Sequence, residues 1–273
     1  MTLDRKLAVI GAGNIGGALI RGLLDAKRFD PQNIRATVHP SLPAKEIGEQ
    51  LGVVVSADNN AATAQWADVI VLSVKPYQIQ EILAEIKEVL RPEQILISLA
   101  AAVPIATIER AGSSSIKIFR AMPNLAMTVG TSATAVCANN VTDAEDRTIV
   151  ENIFETVGRV YTVDEDMMHA VTALSGSGPA YVALFTEALA AGAIKLGLPA
   201  NLAVELAEQM ILGSAKLLLE TGKHPSVLRD EVSTPGGTTV AGLEELDRGK
   251  VSDALQAAVE AAGARSLELA KEI

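Results

Sequence analysis

Apolar residues follow two different rhythms along this chain. From residue 6 to about 160, short β-type runs alternate with helical patterns: "KLAVIGAG" (6–13), "IRATV" (34–38), "GVVV" (52–55), "DVIVLSVKP" (68–76), "QILISLAA" (94–101) and "IKIFRAMPN" (116–124). That alternation predicts βαβ units and a parallel sheet. Between the runs, "IGGALIRGLLDA" (15–26) spaces Ile15, Leu19 and Leu23 four apart, which is one apolar stripe of a helix. "YQIQEILAEIKEVL" (77–90) does the same with Ile79, Ile82, Leu83, Ile86 and Leu90. Beyond about residue 163 the strand signals stop. Ala-rich helical patterns take over, punctuated by "SGSGP" (175–179), "GLP" (197–199), "GKHP" (222–225) and "STPGG" (233–237), where glycine stops one helix and proline opens the next. The expected architecture is α/β: a Rossmann-type nucleotide-binding domain over 1–162, then an all-helical domain over 163–273. No internal repeat or low-complexity tract interrupts it.

Composition narrows the function more than the fold. Of 273 residues, 49% are apolar and only 3% aromatic, a mix that favours close helix packing over an all-β sandwich. The net charge of −10 opposes nucleic acid and anionic membranes as partners, so an anionic ligand has to be held by local dipoles and a few cations. A single cysteine, Cys137, excludes an internal disulfide and fits a reducing cytoplasm. It also rules out a multi-cysteine metal site, and the three scattered histidines have no zinc-like spacing, so no metal is expected. The first strand begins too close to Met1 for a secretory signal. The longest apolar stretch, "ILISLAAAVPIATI" (95–108), is too short for a membrane span and contains Pro104.

Two segments carry chemistry. "GAGNIGG" (11–17) follows an apolar run and opens a helix, so Gly11, Gly13 and Gly16 fit GxGxxG in its proper context. Gly11 permits the tight turn, Gly13 lets backbone approach a pyrophosphate, and Gly16 lets helix and strand pack closely. The helix start then offers N–H groups and a positive dipole to phosphates. An NAD site usually ends its second strand with an acidic residue; here "IRATVHPS" (34–41) has none. His39 and Ser41 are instead candidate donors to a 2′-phosphate, with Lys45 as a nearby cation, so NADPH is favoured while NADH stays open. Lys75 in "SVKP" (73–76) ends a further strand at the ligand-binding edge, where a plain surface lysine is an equal alternative. In "STPGGTT" (233–239), two glycines after Pro235 precede Thr238 and Thr239 at a helix start, leaving N–H donors free to converge on an anion. The plain alternative is that both threonines only cap the helix. Likewise "SGSGP" reads equally well as a helix–helix connection.

Taken together, "IGAGNIGGALIRGL", "SVKP", "RAMPN" (120–124), "LSGSGPAYV" (174–182) and above all "HPSVLRDEVSTPGGTTVAGLEELD" (224–247) resemble the pyrroline-5-carboxylate reductase family from end to end. The resemblance implies a Rossmann domain followed by an all-α dimerisation domain, assembled as a homodimer or a larger homo-oligomer. It assigns Gly11, Ala12, Gly13, Asn14, Ile15 and Gly16 to the pyrophosphate and His39 with Ser41 to the 2′-phosphate region. Asn60 falls near the adenosine ribose, and Ser73, Val74, Lys75 and Pro76 with Ala100, Ala101 and Ala102 flank the nicotinamide. Thr234, Gly236, Gly237, Thr238 and Thr239 match the substrate loop. The segment "NLAM" (124–127) departs from the family's commoner Asn-Thr-Pro-Ala, which leaves contacts around Leu125 open.

The reaction so implied is reduction of the C=N bond of Δ1-pyrroline-5-carboxylate to proline. The expected roles are a hydrogen bond from Thr239 near the imine nitrogen and a grip on the carboxylate by the N–H groups of Gly236, Gly237 and Thr238. The site would join the Rossmann edge to helical-domain residues, with dimerisation part of its assembly. Two rivals remain at this point: a reductase of another cyclic imine or of a β-hydroxyacid, and a nucleotide-sensing module without turnover.

Overall fold

A computed structural model describes residues 3–112 and 115–272. The chain divides into two compact units, Met1–Ser177 with Ala262–Ile273, and Gly178–Ala261. In chain order the first contains β1 (Leu7–Ile10), α1 (Asn14–Asp25), β2 (Ile34–Val38), α2 (Ala44–Leu51), β3 (Val54–Ala57), α3 (Asn60–Trp66), β4 (Val69–Leu72) and α4 (Ile79–Ile86). It continues with β5 (Ile95–Ser98), α5 (Ile105–Ala111), β6 (Lys117–Met122), β7 (Ser132–Ala138), α6 (Ala144–Phe154), β8 (Gly158–Thr162) and α7 (Met168–Val171).

The eight strands form one sheet in the order β3-β2-β1-β4-β5-β6-β7-β8. The first six reproduce the dinucleotide-binding order 3-2-1-4-5-6, whose crevice lies where the order reverses, between β1 and β4. β1, β4 and β5 are buried on both faces, which is why they read as unbroken apolar runs. Successive residues of a strand feed opposite cores: Leu7 and Val9 pack with α1 and α6 residues such as Leu19, Leu23, Ile153 and Phe154, whereas Ala8 and Ile10 pack with Ile79, Leu83 and Ile108.

The alternation predicted a parallel sheet, but the sheet is mixed. β7 runs antiparallel to β6, and β8 then lies parallel to β7. Only residues 123–131 separate β6 from β7. A parallel return needs a crossover of about a dozen residues or more, so this link can only turn the chain back.

The second unit holds α8 (Gly178–Lys195), α9 (Ala200–Thr221), α10 (Pro225–Glu231), α11 (Thr238–Arg248) and most of α12 (Val251–Glu272), whose last residues belong to the first unit. α8 packs on α9, yet within this unit the buried side chains among the described residues are alanines: Ala190, Ala203 and Ala207. Leu184, Leu196, Leu212 and Leu219 stand 59–90% exposed. Apolar surface on that scale marks an association face rather than a finished exterior.

His169 on α7 is tied to Ser266 of α12, with 2.9 Å between Nδ1 and Oγ. Burial, helped by the Arg120 charge, holds its imidazole below the usual histidine range. Below about pH 6.5 the unfolded chain therefore takes up a proton that the folded chain resists, and stability falls with pH. Acidification should lower the melting temperature, and His169→Gln should flatten that slope. An identical slope in the variant would remove His169 as its source.

Candidate active site

The glycine loop links β1 to α1 at the carboxyl edge of the sheet, and its three glycines answer to three different constraints. Gly11 has φ +99° and its absent Cβ would run into the carbonyl oxygen of Ser73, at the end of β4. Gly16 is buried against β1, where a Cβ would overlap the Gly11 carbonyl and lie 3.1 Å from Val9 Cγ1. Gly13 has an ordinary φ of −80° and nothing within 4 Å of a Cβ. Nothing in the chain itself requires glycine there, so what it leaves free is room for a ligand.

The N–H groups of Gly11 and Ala12 are committed to the Thr37 carbonyl of β2, at 3.1 and 2.8 Å. Those of Asn14, Ile15 and Gly16 precede the first helical bond of α1, from the Gly17 N–H to the Gly13 carbonyl, and no side chain caps the helix. Amides and helix dipole together make an anion cradle.

This cradle opens into a cleft of about 730 Å³. Gly11 to Ile15, His39, Ser73 to Pro76 and Ala101 line it. The Ser73 N–H donates to the Ile10 carbonyl at 2.8 Å, and the Lys75 N–H to Gln78 Oε1 at 3.1 Å, which fixes the loop after β4. The exposed Lys75 ammonium has no ion pair among the described residues. It is thus a free cation at the mouth of a cleft in a strongly acidic protein.

Around the cleft, other assigned residues take distinct positions. Ser41 is exposed beside it, and both its hydroxyl, at 2.8 Å, and its N–H, at 3.2 Å, meet His39 Nδ1. A nitrogen that accepts a main-chain N–H carries no proton, so this contact places the His39 proton on Nε2 as a donor. Lys45 lies 4.0 Å from Glu49 on α2 and lines a separate surface groove. Asn60 lines a smaller pocket of about 220 Å³ that shares Gly11 and His39 with the cleft. Its Oδ1 accepts from Thr37 Oγ1 at 2.7 Å and its Nδ2 donates to Glu85 at 2.6 Å. Ala100 is buried and does not line the cleft, and Ala102 takes φ +60°, a left-handed conformation unusual for a residue with a Cβ. The turn is pinned where α5 begins: Glu165 Oε1 accepts from the Ile105 N–H and from the buried Arg120 guanidinium, each at 2.7 Å.

Sequence reasoning missed one wall of the cleft. Met122 at the end of β6, Pro123, Asn124 and Leu125 just after it, and Gly176 line it. Only "RAMPN", "NLAM" and "LSGSGPAYV" touched on it, and only through resemblance. "SGSGP" does connect two helices, through a π-helical turn: Thr172–Gly176 lie between α7 and α8, with Ser177 N–H donating to the Thr172 carbonyl at 3.0 Å.

Thr234, Gly236, Gly237, Thr238 and Thr239 belong to the second unit, and none of them lines the cleft. Gly236 has φ +72°, Gly237 N–H donates to the Thr234 carbonyl at 2.9 Å, and α11 begins at Thr238. Contrary to the capping alternative, the N-cap is Gly237 and no side chain caps the helix. The first helical bond runs from the Ala241 N–H to Gly237. The amides of Thr238, Thr239 and Val240 therefore have no partner within the helix. The hydroxyls of both threonines make no hydrogen bond among the described residues. No group of acidic, histidine or cysteine side chains among the described residues forms a metal site.

Known proteins resemble this chain over nearly its whole length. Residues 165–269 match the family model "Pyrroline-5-carboxylate reductase dimerisation", and residues 6–102 match "NADP oxidoreductase coenzyme F420-dependent". The chain is 42% identical to a pyrroline-5-carboxylate reductase of Corynebacterium melassecola, across 97% of its own length and 98% of the relative's. Among solved structures, the pyrroline-5-carboxylate reductase of Coxiella burnetii aligns with TM-score 0.90 and 37% identity, over 98% of this chain and 99% of that one. The Plasmodium falciparum pyrroline carboxylate reductase, with NADP bound, aligns with TM-score 0.89 and 31% identity, over 99% and 100%. At this identity, over nearly the whole of each chain, the sequence belongs to the pyrroline-5-carboxylate reductase family.

Proposed function

We propose that this chain reduces Δ1-pyrroline-5-carboxylate to L-proline with NADPH, the last step of proline biosynthesis. The observation that carries the reading is the open cradle at Gly13, with its unpaired helix amides, at the switch point of a chain that aligns throughout with these reductases. The cradle fits a dinucleotide, since a Cβ at Gly13 would fill the space that a pyrophosphate needs. The bound dihydronicotinamide supplies a hydride from its C4 to C5 of the imine ring, whose nitrogen carries a proton.

The protein's own task is then to bind and orient. The amides of Asn14, Ile15 and Gly16 meet the pyrophosphate, and Gly11 to Gly13 give it access. His39, its Nε2 proton set by Ser41, donates to the 2′-phosphate, which supports NADPH over NADH. Asn60, held by Thr37 and Glu85, serves the ribose. Lys75 with Ser73, Val74 and Pro76, and Ala100 with Ala101, flank the nicotinamide. Thr234, Gly236, Gly237 and Thr238 grip the substrate carboxylate, and Thr239 offers its unpartnered hydroxyl to the imine nitrogen. The exposed leucines of the helical unit support a homodimer or larger homo-oligomer. A cytoplasmic location agrees with Cys137, whose thiol is buried and pushed up to about 11 by desolvation, and is not needed for any bridge. No helix among the described residues is long and apolar enough to cross a membrane.

The decisive experiment mixes purified full-length protein with NADPH and the five-membered cyclic imino acid, and follows nicotinamide absorbance and proline. One proline per NADPH oxidised is expected, with NADH slower and the six-membered imino acid poorer. Binding of NADPH without turnover, or faster turnover of a six-membered imine or a β-hydroxyacid, would overturn the reading.

A further inference from the structure

We infer that Ser175, in the π-helical turn, is a positioning residue for hydride transfer: it locks the wall formed by residues 122–125. This inference rests on the function proposed above. In a sheet of this order the two mononucleotide halves of the cofactor lie to either side of the switch point. β2, with His39 at its end, serves the adenosine half. The ends of β5 and β6, which bring Ala101 and Met122 to the cleft, serve the half that reacts.

The π turn adds one residue to the helical repeat, a local distortion that recurs at functional sites. Here it brings Ser175 Oγ to 3.1 Å from the Ala133 carbonyl on β7, to which it donates, and to 3.1 Å from Asn124 Nδ2, from which it accepts. Asn124 lines the cleft, and its other groups are committed: Oδ1 accepts from the Ala126 N–H and its own N–H donates to Ser132 Oγ, both at 3.1 Å. The bond to Ser175 is the only one that the Asn124 amide nitrogen makes among the described residues. The next residue, Gly176, also lines the cleft, and a Cβ there would come to 2.7 Å from Met122 Cε. Ser175 thus ties the turn to β7 and orients Asn124 without itself lining the cleft, while Gly176 packs on Met122. Displacing that wall misaligns the nicotinamide against the imine, and misplacement by about 1 Å is enough to slow a reaction up to 100-fold.

Ser175→Ala in the full-length enzyme should lower kcat roughly tenfold or more, with NADPH affinity within about threefold of wild type because the phosphate contacts are untouched. The primary isotope effect with NADPH deuterated at the transferred position should rise, since hydride transfer becomes the slow step. Ser175→Thr, which keeps the hydroxyl, should recover most of the rate. Asn124→Ala should give the same signature, and the double variant should be no slower than either single one. Wild-type kcat in Ser175→Ala overturns the inference, as does a lowered melting temperature with unchanged kcat and isotope effect. If wild-type enzyme is inert towards the imine, the proposed function itself falls. Normal wild-type turnover with an indifferent Ser175→Ala variant sinks only this inference.

Discussion

Thr239→Val should lower kcat for pyrroline-5-carboxylate by roughly 10²-fold or more while leaving NADPH affinity unchanged. That magnitude is typical of removing one donor aimed at the reacting group. The Thr239 hydroxyl is half-buried, makes no hydrogen bond among the described residues and does not cap its helix, so folding makes no use of it. Valine keeps the shape and β-branching and removes only the hydroxyl, so the melting temperature should move by less than about 1 kcal/mol equivalent. Thr239→Ser keeps the hydroxyl and should return most of the activity. The measurement is steady-state kinetics at saturating NADPH together with cofactor titration. Wild-type turnover in Thr239→Val would mean that the hydroxyl has no part in the reaction.

Of the two segments that carry chemistry, one was written in the sequence by physics and the other largely by resemblance. GxGxxG carries its reasons locally: a left-handed turn, a close approach and an open face each leave a glycine, and strand and helix patterns flank them. The loop around Gly236 carried a local signal too, but its spacing alone could not separate an anion grip from a helix cap. Gly237 takes the N-cap, so neither threonine caps the helix and both hydroxyls are left idle. The wall from Met122 to Leu125 had no local signal, because those residues serve the cleft only after β6, β7 and the turn at Ser175 are assembled.

The fold divides the same way. Strands buried on both faces, such as β1, β4 and β5, announce themselves as apolar runs. β7, "SATAVCA", is built from small residues and alternates with serine and threonine, and three of the five residues of β8, "GRVYT", are exposed. Neither has the hydrophobic density that marks a strand, and their places in the sheet come from pairing. The π turn is invisible in the same sense: its register is set by the Ser175 contacts with Asn124 and Ala133, far away in sequence.

Gly13→Ala and Gly16→Ala should separate cofactor binding from folding. At Gly13, alanine meets nothing within 4 Å and an allowed φ, so the cost to the fold is that of a changed N-cap, about 1 kcal/mol or less. Its methyl occupies the approach of the pyrophosphate, and overpacking of about 1–3 kcal/mol weakens NADPH binding roughly 10- to 100-fold. At Gly16 the methyl collides with the Gly11 carbonyl and presses on Val9, and backbone cannot step aside as a flexible side chain can. That variant should lose stability by about 3 kcal/mol or more and show a lower melting temperature even without cofactor. Isothermal titration with NADPH and thermal unfolding of the apoprotein read the two effects independently. Equal NADPH affinity in Gly13→Ala and wild type would remove this loop from the cofactor site, since no requirement of the fold explains a glycine at that position.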